Sequence, residues 1–121
     1  MSAAKVGESR SACPIAKALD ILGDKWTLLV IRDLLFFDKH RFSELAASAE
    51  GIPTNLLADR LARLCAAGLV ERRAYQTHPP RDEYHLTERG RGLQPVLREL
   101  AAWTLGRPVV GPPRSAHGSG T

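Results

Sequence analysis

The sequence predicts an α+β domain, mainly α with one small β-hairpin, in the order α-α-α-α-β-β-α. Three stretches carry that reading. In PTNLLADRLARLCAAG, Leu57, Leu61 and Leu64 fall at i, i+4 and i+7, a stripe about 60° wide that leaves the opposite side of a helix without large apolar residues. RFSELAAS, just before it, reads as a shorter helix, and the turn between the two contains Gly51. After Gly68, LVERRAY and then DEYHL have strand character on either side of a loop holding Pro79 and Pro80. A short helix, a tight turn and a second helix with one free face is how a helix-turn-helix presents side chains to the major groove.

A chain of 121 residues with 44% hydrophobic residues is long enough for one core and too short for two comfortable domains. Its 17 basic and 13 acidic residues leave a net charge of +4, which suits a nucleic-acid partner but is shared by ribosomal and membrane-surface proteins. Cys13 and Cys65 form neither a metal spacing nor a disulfide framework, as suits a reducing cytoplasm. The opening MSAAKVGESRSA has no apolar core like that of a signal peptide. The longest apolar runs, 28–31 and 34–37, are separated by Arg32 and Asp33 and fall far short of the roughly 20 residues a spanning helix needs. A soluble cytoplasmic protein without membrane contact is the expectation. His40, His78, His85 and His117 are scattered without ligand spacing, so no metal site is expected. No nucleophile elbow, phosphate loop or paired catalytic carboxylate is present, so neither catalysis nor a cofactor is expected.

Taken in order, residues 1–12 are small and polar and read as a mobile arm. Cys13-Pro14 opens a helix whose apolar residues are Ile15, Leu19 and Leu22, ended by Gly23. Asp24 is placed to cap WTLLVIRDLLFF, which is apolar on nearly every side and so must be surrounded by protein. Asp38, Lys39 and His40 break the pattern, and the short helix that follows turns Phe42, Leu45 and Ala46 inward. In the next helix, Asn55, Asp59, Ala62 and Ala66 lie near the outward pole, with Leu56 and Arg63 on one flank and Ala58 on the other. Thr54 takes the N-cap after Pro53. The hairpin tip looks too long and proline-rich for a two-residue turn. Thr87 then caps one last helix carrying Leu93, Val96, Leu97, Leu100 and Trp103, more apolar surface than a small domain needs to cover. From Gly106 the composition turns to Gly, Pro and Ser, so the domain is 13–105 and 106–121 is a disordered tail.

The order of parts resembles a winged helix. CPIAKALDILGDKWTLLVIRDLL, RFSEL, LxxRLxRLxxxGLVERR and PPRxEYxLTxxGxxLxPVLxxLxxW together resemble the HxlR-type regulators of bacteria, a MarR-like group, over residues 13–103. The resemblance implies a dimeric repressor or activator of transcription that binds double-stranded DNA at a palindromic operator. It further implies a homodimer joined through the first and last helices; the surplus apolar residues of those helices, Ile15, Leu19, Leu97, Leu100 and Trp103, are the expected interface. Pro53 departs from the pattern where a small polar residue commonly starts the recognition helix, and His78 where the wing is more often aliphatic. In some members a cysteine at the start of the first helix senses oxidants or electrophiles, which makes Cys13 the redox-sensing candidate and a small molecule or electrophile the candidate effector. The residues agree in part: a helix N-terminus and Lys17 favour a thiolate at Cys13, while Cys65 has no cation obviously placed to activate it. An inert thiol remains the alternative.

The candidate DNA contacts are Arg41, Thr54, Asn55, Arg60, Arg63, Arg73 and Arg81. Thr54 and Asn55 stand at the end of the second helix that touches base edges, and Arg63 is on its free side. Asp59 either accepts from a cytosine amino group or pairs with Arg63, the pair being favoured. Arg60 either reaches a phosphate or packs its stem inward. Arg41 precedes the helix that crosses the backbone, which suits a phosphate contact. Arg72 and Arg73 alternate, so one of the two faces DNA; Arg81 at the wing tip is the better placed of the hairpin's arginines. Any of these arginines could instead belong to a solvated face. Trp26 and Trp103 read as core rather than as walls of a ligand pocket. A winged helix that serves only as a protein-interaction module is the alternative function, and an acidic wing would favour it.

Overall fold

The structure, a computed structural model, describes residues 12–109; the arm and the tail inferred from the sequence fall almost wholly outside the described residues. Eight elements follow in order: α1 Pro14–Leu22, α2 Lys25–Phe36, α3 Phe42–Ala46, α4 Thr54–Ala66, β1 Val70–Thr77, β2 Pro80–Leu86, α5 Glu88–Arg91 and α6 Gln94–Leu105. The inferred single last helix is thus two. Pro95 lacks an N–H and would clash with the carbonyl of Arg91, so the chain turns at Gly92 and Leu93 and restarts with the proline in the new first turn.

The helix α2 starts where Asp24 accepts hydrogen bonds from Thr27 N at 3.0 Å and Thr27 Oγ1 at 3.2 Å. It packs against α1, α4, β2 and α6, and its Val30, Ile31 and Leu34 are the middle of the core. Leu57, Leu61 and Leu64 of α4 are each at most 1% exposed, as the stripe predicts. Burial of such side chains contributes about 1.5–3 kcal/mol each, so this stripe is the main tie between α4 and the rest. The helix ends in a Schellman motif: Gly68 takes φ +78, and Leu69 N donates to Leu64 O at 3.0 Å.

The hairpin pairs Val70 with Leu86, Arg72 with Tyr84 and Thr77 with Pro80, with a bulge between Ala74 and Gln76. Because the strands run out to Thr77 and Pro80, only His78 and Pro79 remain for the tip, and the bond between them is cis. The inferred long loop is therefore a two-residue turn. Tyr84 N donates to His40 O at 2.7 Å, which ties the root of the wing to the chain entering α3. Thr87 caps α5 by accepting from Gly90 N at 3.2 Å while its own hydroxyl donates to Gly68 O at 2.7 Å. Gly90 is pressed so closely on the start of β1 that a Cβ there would lie 2.2 Å from Leu69 O. No side chain larger than hydrogen fits.

A polar clamp holds the α3–α4 turn. Arg32 donates to both carboxylate oxygens of Glu50, at 2.7 and 2.8 Å, and to Asp33 Oδ1 at 2.8 Å. Asp33, 3% exposed, accepts from Ser48 Oγ, which also receives Lys39 Nζ at 3.2 Å. The hydrogen bonds from Arg32 hold the Glu50 carboxyl down at about 2. Its folded value lies below its unfolded one, so the clamp's contribution is fully present above pH 4.5 and is lost as pH falls toward 2. We expect Glu50→Gln to cost up to about 1 kcal/mol at neutral pH, the pair being part-exposed. Urea denaturation of both proteins should show that cost shrinking at pH 3; a cost independent of pH would mean the ion pair is not its source.

Candidate nucleic-acid interface

With its leucines spent on α2, α4 turns Thr54, Asn55, Ala58, Asp59, Ala62, Arg63 and Ala66 to solvent. Small and short polar side chains there let another surface come close. Pro53 is the N-cap, with extended ψ 141, and Thr54 is the first helical residue, so the inferred cap at Thr54 is corrected by one position. Proline offers no side-chain acceptor, and no side chain caps the first turn of α4. Thr54 and Asn55 stand on that turn at the open end of the helix.

Asp59 pairs with Arg63, Nε to Oδ2 3.0 Å, and also receives Arg60. The carboxylate at the outward pole is thereby matched by cations. Arg60 is the correction among the arginines: its side chain is 13% exposed against 59% for Arg63, and its Nε donates to Asp24 Oδ2 at 2.9 Å. It faces inward because the cap of α2 lies within its reach. Burial tends to raise the Asp24 carboxyl, but the hydrogen bond from Thr27 and the Arg60 guanidinium outweigh it and hold the group below the usual range.

On the hairpin, Arg72 and Arg73 take opposite faces, and it is Arg72 rather than the candidate Arg73 that lies on the side of α4. Arg72 acts electrostatically on Cys65 of α4, whereas Arg73 lines a cleft with Leu34, Leu35 and His40 on the α2 side. Strand parity sets this, since Val70 and Leu86 point into the core beside α4 and Arg72 shares their face. Arg72 is also the cation that sequence reasoning did not find near Cys65, although burial still pushes that thiol up. Arg81 is exposed next to the tip, and among the described residues no carboxylate pairs with it. Arg41 is half exposed, lying 4.2 Å over the Tyr75 ring with its Nε 3.5 Å from Glu83 Oε2. It joins the start of α3 to the wing and leaves an edge in solvent.

A second surface lies on α1 and α6, neither of which has a fully buried residue. Ile15 and Leu19 are 71% and 57% exposed; Val96, Leu100 and Trp103, at i, i+4 and i+7, share an exposed stripe. Two inferences change. Trp103 is 84% exposed, so it is not a core residue, and Leu97 packs against the core while Val96 takes the outward place. Trp26 is half-buried against the core as inferred. Cys13 is exposed at the N-cap of α1, its carbonyl accepting from Lys17 N at 3.0 Å. The Arg32–Glu50 and Asp24–Arg60 pairs were not found from sequence. Arg32 and Asp33 interrupting an apolar helix were the available signal for the first; the second spans distant segments and has none.

Helix-turn-helix, wing and an exposed apolar helix pair make up a winged helix-turn-helix domain of the kind found in regulators of transcription. A family model for HxlR-like helix-turn-helix proteins matches residues 21–107, and the chain belongs to that family. It is 42% identical over 90 residues to the HTH-type transcriptional regulator sll1512 of Synechocystis, covering 74% of this chain and 66% of that one. The chain thus spans just under two thirds of that relative. A solved structure of a MarR-family regulator from Porphyromonas gingivalis superposes with a TM-score of 0.68 at 36% identity, covering 81% of this chain and 95% of the other. Reduced YodB of Bacillus subtilis gives 0.64 at 35% identity, with 78% and 92% covered, and YodB has also been solved with a quinone bound. Among the described residues, no helix is long and apolar enough to cross a membrane.

Proposed function

We propose that the protein is a bacterial, cytoplasmic repressor or activator that binds a palindromic operator as a homodimer. The observation that carries this is the two-sidedness of α4, a fully buried leucine stripe behind an exposed pole of small and polar residues. In this reading Thr54 and Asn55 touch base edges, Arg63 reaches the groove wall, and the uncapped N–H groups of α4 favour a phosphate. Arg41, Arg72 and Arg81 contact the backbone; Arg60 positions α4 through Asp24 and makes no phosphate contact. The exposed stripe of α6 and the outer face of α1 meet their copies across a two-fold axis. Each arginine contact adds affinity that weakens with salt, while sequence choice rests on α4. Asn55→Ala should cost about 1–3 kcal/mol of discrimination at one base pair. Arg81→Ala should weaken all sequences alike and reduce the salt slope by about one. Titrations of operator and random DNA at two salt concentrations check both; equal effects of the two changes on both DNAs would remove the base-reading role and favour a protein-interaction module.

The exposed position of Cys13, on the helix that also presents Ile15 and Leu19, supports a second element of the reading, a response to electrophiles. The solved quinone-bound form of YodB supports it from a related chain. Addition of the Cys13 sulfur to a quinone ring carbon, with the thiol proton passing to a ring oxygen, places a bulky group beside the apolar face of α1. Treatment with benzoquinone should change operator affinity severalfold in the native protein and leave Cys13→Ser unaffected. Unchanged affinity of native protein whose Cys13 is shown by mass spectrometry to be modified would overturn the sensor role.

A further inference from the structure

A cleft of about 180 Å³ opens between α2, the loop before α3, the hairpin and α5, away from the outward pole of α4 and the apolar faces of α1 and α6. We propose that it binds a small organic monocarboxylate with a short apolar tail. The edges of the buried Leu34 and Leu86 and the half-buried Leu35 give it a small apolar patch. One wall is the stacked pair His40 and His85, ring centroids 4.2 Å apart and 16° from parallel. Their Nε2 atoms are already held, His40 by Asp38 Oδ1 at 2.7 Å and His85 by Glu83 Oε1 at 2.9 Å, and His40 Nδ1 by Tyr84 O at 2.9 Å. The pair therefore offers the cleft more ring surface than hydrogen-bonding capacity.

The charge comes from Arg73 and Arg91, which lie at the same opening. Arg73 gives its Nε to Glu71 at 3.1 Å and keeps its terminal N–H groups. Arg91 gives one Nη1 to Leu86 O at 2.8 Å, and among the described residues no carboxylate pairs with it. Around the cleft, Glu71 answers Arg73, Glu83 answers Arg41 and Asp38 holds His40, while Arg91 is paired with none of these carboxylates. A carboxylate seated at the opening would give the Arg91 guanidinium the partner it lacks. Planar guanidinium donors beside imidazole faces and a small leucine patch suit a planar carboxylate head and a short hydrocarbon tail, and the space equals about six water molecules, room for an acid of four or five carbons.

Isovalerate is the probe, titrated into ¹⁵N-labelled protein without DNA, so the outcome is independent of the DNA-binding reading. Saturable amide shifts should centre on Leu86 and Arg91. The neutral isostere isovaleramide and inorganic phosphate should each bind at least tenfold more weakly. Arg91→Gln and Arg73→Gln, both at exposed positions that leave the core untouched, should each weaken isovalerate at least tenfold. The proposal is overturned if no saturable shift occurs at millimolar isovalerate, if the amide or phosphate binds as tightly, or if both variants bind like the native protein.

Discussion

The rest of the structure depends on the covering of α2. Its sequence is apolar on too many sides for a surface helix, so α1, α4, β2 and α6 each have to bring an apolar face to it. For α4 that obligation consumes Leu57, Leu61 and Leu64 and leaves only small and polar residues for the outside. A helix able to lie in a groove is therefore a by-product of how the core is closed. The same covering leaves α1 and α6 with apolar residues that the fold does not hide.

Two effects of different size divide the work of placing α4. Truncating a buried leucine costs about 2–5 kcal/mol, whereas a part-exposed ion pair contributes at most about 1 kcal/mol. The leucines therefore hold the helix, and the pairs aim it. Arg32 with Glu50 sets the turn before α4, and Arg60 with Asp24 sets its rotation about its axis. Since Asp24 also caps α2, the start of the central helix and the orientation of α4 share one carboxylate.

Most of the fold was legible because burial has a period. The leucine stripe, the Asp24 and Thr87 caps and the Gly68 stop all reduce to local rules, and the structure agrees with each. What escaped was of two kinds. Some local signals were present but underweighted, as with Pro95 dividing the last helix and the short spacing of Thr77 and Pro80 at the tip. Others have no local signature: helical periodicity could not say that Val96 rather than Leu97 faces out, that Arg72 rather than Arg73 lies toward α4, or that Arg60 meets an aspartate from another helix. These depend on rotations of a few tens of degrees that only tertiary packing settles. The outward pole of α4 was legible, and the electrostatic framework behind it was not.

In the proposed dimer, two copies of α4 related by two-fold symmetry read one operator. Hydroxyl-radical footprinting on DNA selected by the protein from a random pool tests it most directly. The expected result is an inverted repeat whose half-sites are centred about 10–11 base pairs apart, protected on one face of the duplex. A single unrepeated protected patch, or a pool that yields no preferred sequence, would contradict it.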